Sequence, residues 1–435
     1  MTPAARIQAA IEILSGIEAA TDPADAVTAA YFRKRRYAGS KDRRAITERV
    51  YGLLRHQARL RWWIGANSDL EATPRILTLA GLALMDGEGA EAIASLFSGA
   101  SHAPAALSET EENFIQSVAG QTMDHPDMPI QAVLEIPAWL QESFQARFGG
   151  ALADEMQALN QPAPVDLRVN TLKGTRKETQ ASLAGNGIVT EETPFSPLGL
   201  RLQGRVKLDA TEAYKSGLIE IQDEGSQLAA LLSAALAGQT VFDVCAGAGG
   251  KTLALAASMN NLGLLIACDT LERRLKRLAP RLRRSGATLI ETRVLKEVAE
   301  PWMVDDTAVA DRVLVDAPCS GSGAWRRHPE ARWRLTREDL DGLIASQRTI
   351  LVGAAKLVKP GGRLIYVTCS LLEEENETQA DGFLNAHKDF TCIPAPKVWA
   401  ETIGGTAPFD GPYALLTPAR HGTDGFFIAV FEKVA

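Results

Sequence analysis

From about residue 4 to residue 125 the apolar positions return every three or four residues. Ile7, Ala10, Ile11, Leu14 and Ile17 share one face of a 3.6-residue period, which predicts an amphipathic helix. Thr73-Pro74 offers a cap and an N1 proline to a helical segment over 76–85. Ser108-Glu-Thr-Glu111 has the form of a capping box and opens a helix over 114–118. Residues 102–107 read as a loop and 124–129, Asp-His-Pro-Asp-Met-Pro, as a linker. Past residue 130 the pattern changes. Pro137 starts a helix carrying Trp139, Leu140 and Phe144 that stops at Gly149-Gly150, and short strand patterns at 165–170 and 199–203 flank helical material. Then six strand-like runs, 240–245, 264–268, 288–294, 312–316, 363–368 and 425–431, alternate with helical stretches. That alternation predicts a mostly parallel, doubly wound sheet. The expected division is an all-α region over 1–128, a small α+β segment over 129–215, and a Rossmann-like α/β domain over 216–435.

Bulk composition narrows the class without choosing a function. The chain has 435 residues, 46% hydrophobic and 23% charged, as in an ordinary globular protein of two or three domains. No apolar run approaches the roughly 18 residues that a membrane helix needs. Its first residues, Met1-Thr-Pro-Ala-Ala-Arg-Ile-Gln, lack the layout of a signal peptide. All five cysteines lie in the second half without metal-ligand spacing, so reduced thiols in a cytoplasm and no metal are expected.

Net charge is −7, which on its face argues against a polyanionic partner. The local distribution argues the other way. Between 33 and 61 stand Arg33, Lys34, Arg35, Arg36, Lys41, Arg43, Arg44, Arg49, Arg55, Arg59 and Arg61, opposed only by Asp42 and Glu48 and flanked or punctuated by Tyr31, Phe32, Tyr37, Trp62 and Trp63. Such a stripe is either a solvated helix face or a nucleic-acid footprint, and its imbalance with aromatics favours the second.

The candidate chemistry sits at strand ends of the α/β domain, where open sheets place their ligands. The run Thr240-Val-Phe-Asp-Val-Cys245 leads into Ala246-Gly-Ala-Gly-Gly-Lys-Thr252. A Walker loop needs glycine where Cys245 stands, and a dinucleotide fingerprint needs Gly or Ala where Thr252 stands. What survives both failures is a tight strand–loop–helix turn exposing backbone N–H groups, suited to a carboxylate. Asp269 ends the next strand, the place for an acid that holds ribose hydroxyls. S-adenosylmethionine has a carboxylate and a ribose diol and no phosphate. Two cysteines follow two later strands: Cys319 in Asp316-Ala-Pro-Cys-Ser-Gly321 and Cys369 in Thr368-Cys-Ser370. Cysteine is commonly a small buried hydrophobe, the reading kept for Cys268 and Cys392. Loop positions at two strand ends suit chemistry better.

With those motifs in hand, the chain resembles the RNA cytosine-5 methyltransferases of the Sun/nucleolar-protein family, most of all its bacterial RsmB branch. Leu167-Arg-Val-Asn-Thr-Leu-Lys173, Gln222-Asp-Glu-Gly-Ser-Gln227, Lys359-Pro-Gly-Gly362 and Asp424-Gly-Phe-Phe427 extend the likeness over nearly the whole chain. The resemblance implies a NusB-like RNA-binding N-terminal domain, a small α+β RNA-binding segment and a methyltransferase core. It implies S-adenosylmethionine held by Cys245, Ala246, Gly247, Ala248, Gly249, Gly250, Lys251, Asp269 and Asp316. It gives Cys369 the attack on carbon 6 of a cytosine and Cys319 the release of the product. The implied substrate is 16S ribosomal RNA and the implied state a cytoplasmic monomer. Arg168, Lys173 and the 325–334 loop, whose tryptophans either stack on bases or pack, are expected to add to RNA binding. Two departures stand out: Gly247-Ala248 replace the family's Ala-Pro, and Arg293 occupies the place of a third-strand acid, with Glu291 as a substitute. Transfer RNA as the target, and a non-catalytic RNA-binding assembly factor, stay open as alternatives, the second opposed by retention of both cysteines. A DNA cytosine methyltransferase fits less well, because its nucleophile belongs to the first motif.

Overall fold

Local signals set the helices of the first third. The Thr2 hydroxyl accepts the Ala5 N–H and Pro3 takes the first turn of helix Pro3–Ala19. Thr73 caps helix Pro74–Leu84 in the same way, and both halves of the Ser108/Glu111 capping box form at helix Glu109–Val118. The computed structural model describes residues 1–204, 206–296 and 307–434. They divide into two units: 1–161 with 325–335, and 162–324 with 336–435.

In the first unit, helix Pro74–Leu84 is buried at every position except Arg75. A helix apolar all round belongs at the centre of a bundle. Helix Ser40–Arg55 approaches it at Gly81, where a Cβ would fall 2.3 Å from Leu53 Cδ2. The stretch 325–335 is part of this unit. Trp325 is fully buried and Arg332 is 1% exposed, donating to Glu135 O and Asn160 Oδ1, both at 2.7 Å. The Trp333 indole donates to Leu54 O at 3.1 Å, and Arg334 to Ile17 O at 2.6 Å. These side chains are packing and tethering groups, so of the two readings of the 325–334 tryptophans the structure has the packing one.

The basic stripe is also less free than its sequence suggests. Arg35 pairs with Glu12, Arg44 with Glu48, Arg49 with Asp86, Arg59 with Asp124 and Glu135, and Arg61 with Glu18. Arg43 and Arg55 donate to the carbonyls of Ala38 and Arg326. Among the described residues, Arg33, Lys34, Arg36 and Lys41 keep exposed side chains without such a partner.

The second unit holds two sheets. Strands β1 (Asp166–Val169), β2 (Thr190–Glu192), β3 (Gly199–Leu202) and β4 (Ile219–Ile221) pair antiparallel in the order β2-β3-β1-β4. The larger sheet comprises β5 (Thr240–Val244), β6 (Leu264–Asp269), β7 (Ile290–Val294), β8 (Ala310–Asp316), β9 (Val358–Thr368), β10 (Phe390–Cys392), β11 (Ala414–Leu416) and β12 (Phe426–Lys433). Its order is β10-β12-β9-β8-β5-β6-β7, with β11 on β12. Strands β5 to β9 run parallel to one another, whereas β12 runs antiparallel to β9, β10 and β11. The central strands are buried on both faces, so Val241, Phe242, Leu314, Val315, Ile365 and Tyr366 form near-continuous apolar runs. Chain order reverses between β5 and β8, which opens a crevice at their carboxyl ends.

Arg168, expected to face RNA, is instead 2% exposed on β1, bonded to Gln222 Oε1 and, at 2.7 Å, to Gly250 O. Lys173 is committed too, donating to Arg284 O at 2.7 Å. Both tie the small sheet to the larger one.

Candidate cofactor cleft and thiol pair

The turn after β5 is built by backbone conformation. Cys245, Gly247 and Gly249 all have positive φ, 68°, 58° and 80°, before helix Gly250–Ser258 begins. Glycine is required at 249, where a Cβ would meet Leu278 Cδ1 at 2.1 Å. Cys245, a non-glycine residue in the left-handed region, holds a conformation that costs on the order of 1 kcal/mol or more. Burial pushes its thiol well above the usual range, so it stays neutral.

Asp269, at the end of β6 and 4% exposed, braces this turn. Its carboxylate accepts the Gly247 N–H at 2.9 Å and the Leu271 N–H at 2.7 Å. Asp316, at the end of β8, pairs at 2.8 Å with Lys251 Nζ. Burial works against the Lys251 charge, yet Asp316 outweighs it and the ammonium is held above its ordinary value, with Cys369 acting in the same direction. The Lys251 ammonium also lies 5.2 Å from the centroid of the Phe426 ring.

The loops after β8 and β9 bring the two cysteines together. Cys319 Sγ and Cys369 Sγ are 3.4 Å apart, and both residues are partly accessible. Their hydrogen bond, then burial, raises the Cys319 thiol well above its ordinary value, so the proton stays on Cys319.

The side chains that fix this pair went unread in the sequence. Glu375, fully buried, accepts the Ser320 N–H at 2.8 Å, the Ser320 hydroxyl at 2.5 Å and the Gln347 amide at 2.9 Å. Gln347 also donates to Pro318 O at 2.9 Å. The hydroxyls of Ser320, Ser322 and Ser370 lie 3.1–3.2 Å from one another. Asn376 accepts from Thr368 Oγ1 at 2.5 Å and donates to Ser370 O at 2.9 Å. One carboxylate and three hydroxyls thus clamp the two cysteine loops. Acidic and amide groups at 373–376, directly after Cys369, were the available signal.

A cavity of about 480 Å3 joins these parts. Of the expected cofactor residues it is lined by Cys245, Ala246, Gly247, Ala248, Gly250, Lys251, Asp269 and Asp316, with Cys319 and Cys369 on its wall; Gly249 lies behind them. Gln222, Ser226, Arg274, Arg281 and Leu295 also line it, and sequence reasoning had not placed them there. Glu291 is exposed on β7 and lines nothing here; the wall beyond β7 is the buried Leu295. The volume suits a mid-sized ligand, and a braced acid beside a turn of N–H groups suits a ribose and a carboxylate, so the residues present fit S-adenosylmethionine. Among the described residues no group of three or more His, Cys, Asp or Glu is placed to hold a metal, and no helix is long and apolar enough to cross a membrane.

Known proteins resemble this chain over most of its length. The family profile described as 16S rRNA methyltransferase RsmB/F matches residues 230–432. A second, described as a ferredoxin-like domain of RsmF/B-like methyltransferases, matches residues 136–209. Over 410 residues the chain is 32% identical to the probable ribosomal RNA small subunit methyltransferase B of Synechocystis sp., covering 90% of this chain and 91% of that one. The crystal structure of PH0851 superposes with TM-score 0.80 at 28% identity, over 100% of this chain and 99% of the other. That of a methyltransferase homologue from Pyrococcus horikoshii gives TM-score 0.61 at 27% identity, over 72% and 100%.

Proposed function

The chain belongs to the 16S rRNA methyltransferase RsmB/F family, and from that premise we propose that it methylates carbon 5 of one cytosine in small-subunit ribosomal RNA, with Cys369 as nucleophile and Cys319 as release thiol. The observation that carries this reading is the 3.4 Å approach of two thiols on the wall of the cofactor cleft. S-adenosylmethionine is the methyl donor and, when bound, supplies an electrophilic methyl group.

Carbon 5 of cytosine is a weak nucleophile. Addition of the Cys369 thiolate to carbon 6 gives it enamine character and divides one hard step into easier ones. The Cys319 thiol, 3.4 Å away, and the buried Lys251 ammonium, whose charge interacts with Cys369, stand beside that sulfur. Once carbon 5 carries the methyl group it must lose its proton. For Cys319 to accept it, directly or through a relayed proton, the thiol's own proton must first pass to solvent. The carbon 5–hydrogen bond pair then restores the double bond while the bond from carbon 6 to Cys369 sulfur breaks and Cys369 leaves as thiolate. Asp316, held by Lys251, is placed to meet the cofactor and the polar edge of the base. The 245–251 turn and Asp269 hold the donor. The helical 1–128 region and the 129–215 segment serve RNA binding on this reading, with the enzyme a cytoplasmic monomer.

The test is bisulfite mapping of ribosomal and transfer RNA from a deletion strain. Loss of one protected cytosine in 16S rRNA, restored by the intact gene and not by Cys369→Ala, is expected. Loss confined to a transfer RNA would move the substrate assignment, and no loss in either would overturn it.

A further inference from the structure

Helix Glu272–Ser285 follows β6 and carries seven basic residues against one acidic residue, in a chain whose net charge is −7. Leu275 and Leu278 are buried, and Leu282 packs on the same cluster. At 100° per residue this places Arg273, Lys276, Arg277, Arg283 and Arg284 away from the buried stripe, with Arg274 and Arg281 on the flank. Three of the seven are ion-paired: Lys276 with Glu272 at 3.0 Å, and Arg281 and Arg284 with the one buried carboxylate of Glu220. Arg273, Arg274, Arg277 and Arg283 are exposed and have no acidic partner among the described residues.

Helix stability does not account for that charge. Arg283 lies in the last turn, where the macrodipole welcomes a cation, but Arg273 and Arg274 stand in the first turn, where it repels one. Arg273 and Arg277, one turn apart on the same face, also repel each other. Arg274 lines the cofactor cleft on one flank of the helix, Arg273 and Arg277 share the outward side, and Arg283 lies toward the other flank, so the charged surface starts beside the cleft and spreads across and along the helix. From 273 to 283 it extends about 15 Å at 1.5 Å per residue, the rise of roughly four stacked nucleotides.

We propose that this face is a second RNA-binding surface, on the catalytic unit itself, which grips the phosphodiester backbone of the RNA substrate. Guanidinium groups suit phosphate because they donate in pairs in a fixed plane. The proposal rests on the reading of the substrate as ribosomal RNA.

The experiment uses the full-length chain, a protein-free 16S rRNA transcript as the probe, and the variant R273Q/R277Q/R283Q, which leaves the cleft-lining Arg274 intact. Each lost phosphate contact should lower the slope of log affinity against log salt by about 0.7–0.9. A decrease of roughly two units, at least a tenfold loss of RNA affinity at moderate salt, and unchanged S-adenosylmethionine affinity are expected. An unchanged slope would overturn the proposal. Should the variant fold poorly, phenylglyoxal labelling of the wild-type protein decides: Arg273, Arg277 and Arg283 should be protected by the transcript, and equal labelling with and without it would overturn the proposal. If the wild-type protein bound the transcript yet methylated neither it nor assembled subunits, the substrate reading would fail, whereas the salt slope would still report on this face.

Discussion

At the scale of single residues, the legible parts were those where chemistry forces an identity. Cys319, Cys369, Lys251 and Asp269 were all visible as residue types at strand ends, and the structure brings them to one cleft. Missed residues were generic types whose role depends on a distant partner. Glu375 is one acid among three in a row, and nothing local shows that it, rather than Glu373 or Glu374, turns inward. Arg168 was misread for the same reason, since an arginine on a short strand gives no sign of being buried. Asp269 does more than hold a ribose, because it also braces the turn through Gly247. Asp269→Ala should therefore weaken S-adenosylmethionine binding by about 1–3 kcal/mol, the scale of leaving buried polar groups unpaired. Calorimetry showing unchanged affinity would remove Asp269 from the site.

At the scale of elements, periodicity and capping marked the helices of the first third and the five parallel strands. Strands β10 and β11 were missed because each has three residues, too few to show alternation. The clamp between the β8 and β9 loops gives a testable consequence. In Glu375→Gln an amide N–H2 would confront donors on one side, so kcat should fall at least tenfold and the unfolding midpoint should drop. Cofactor affinity should hold, since Glu375 does not line the cleft. Normal turnover in that variant would show that the clamp is dispensable. The β5 strand carries a second consequence. Burial, opposed by the Thr252 hydrogen bond and assisted by Asp316, pushes Asp243 up to about 7, and its Oδ1 has no hydrogen-bond partner among the described residues. An unfolded aspartate titrates near 3.9. Between about pH 4 and pH 7 the folded state therefore holds a proton that the unfolded state has lost. This group's contribution is full below pH 4 and is lost as pH rises toward 7. Asp243→Asn should flatten that decline in denaturant titrations across this window, and an identical slope in both proteins would refute the assignment.

At the scale of the whole molecule, a sequence-level charge count misled because ion pairs close over long separations. Arg35 meets Glu12, Arg49 meets Asp86 and Arg59 meets Glu135. Five of the eleven cations are ion-paired and two more are tied to carbonyls, which leaves four exposed ones without a partner among the described residues. Replacing Arg33, Lys34, Arg36 and Lys41 with glutamine should lower the RNA-binding salt slope by no more than about 3 to 3.5 units, at 0.7–0.9 per contact, and no decrease would return the stripe to an ordinary solvated face. Neither RNA surface matters, however, unless the thiols divide the chemistry as proposed. The most direct test is denaturing gel electrophoresis of the complete protein after incubation with its RNA and S-adenosylmethionine. Without Cys319 attack still occurs and release is impaired, so Cys319→Ala should accumulate an RNA–protein adduct, while Cys369→Ala and the double variant show none. Normal turnover by Cys319→Ala, or an adduct seen only in Cys369→Ala, would contradict the assignment of nucleophile and release thiol.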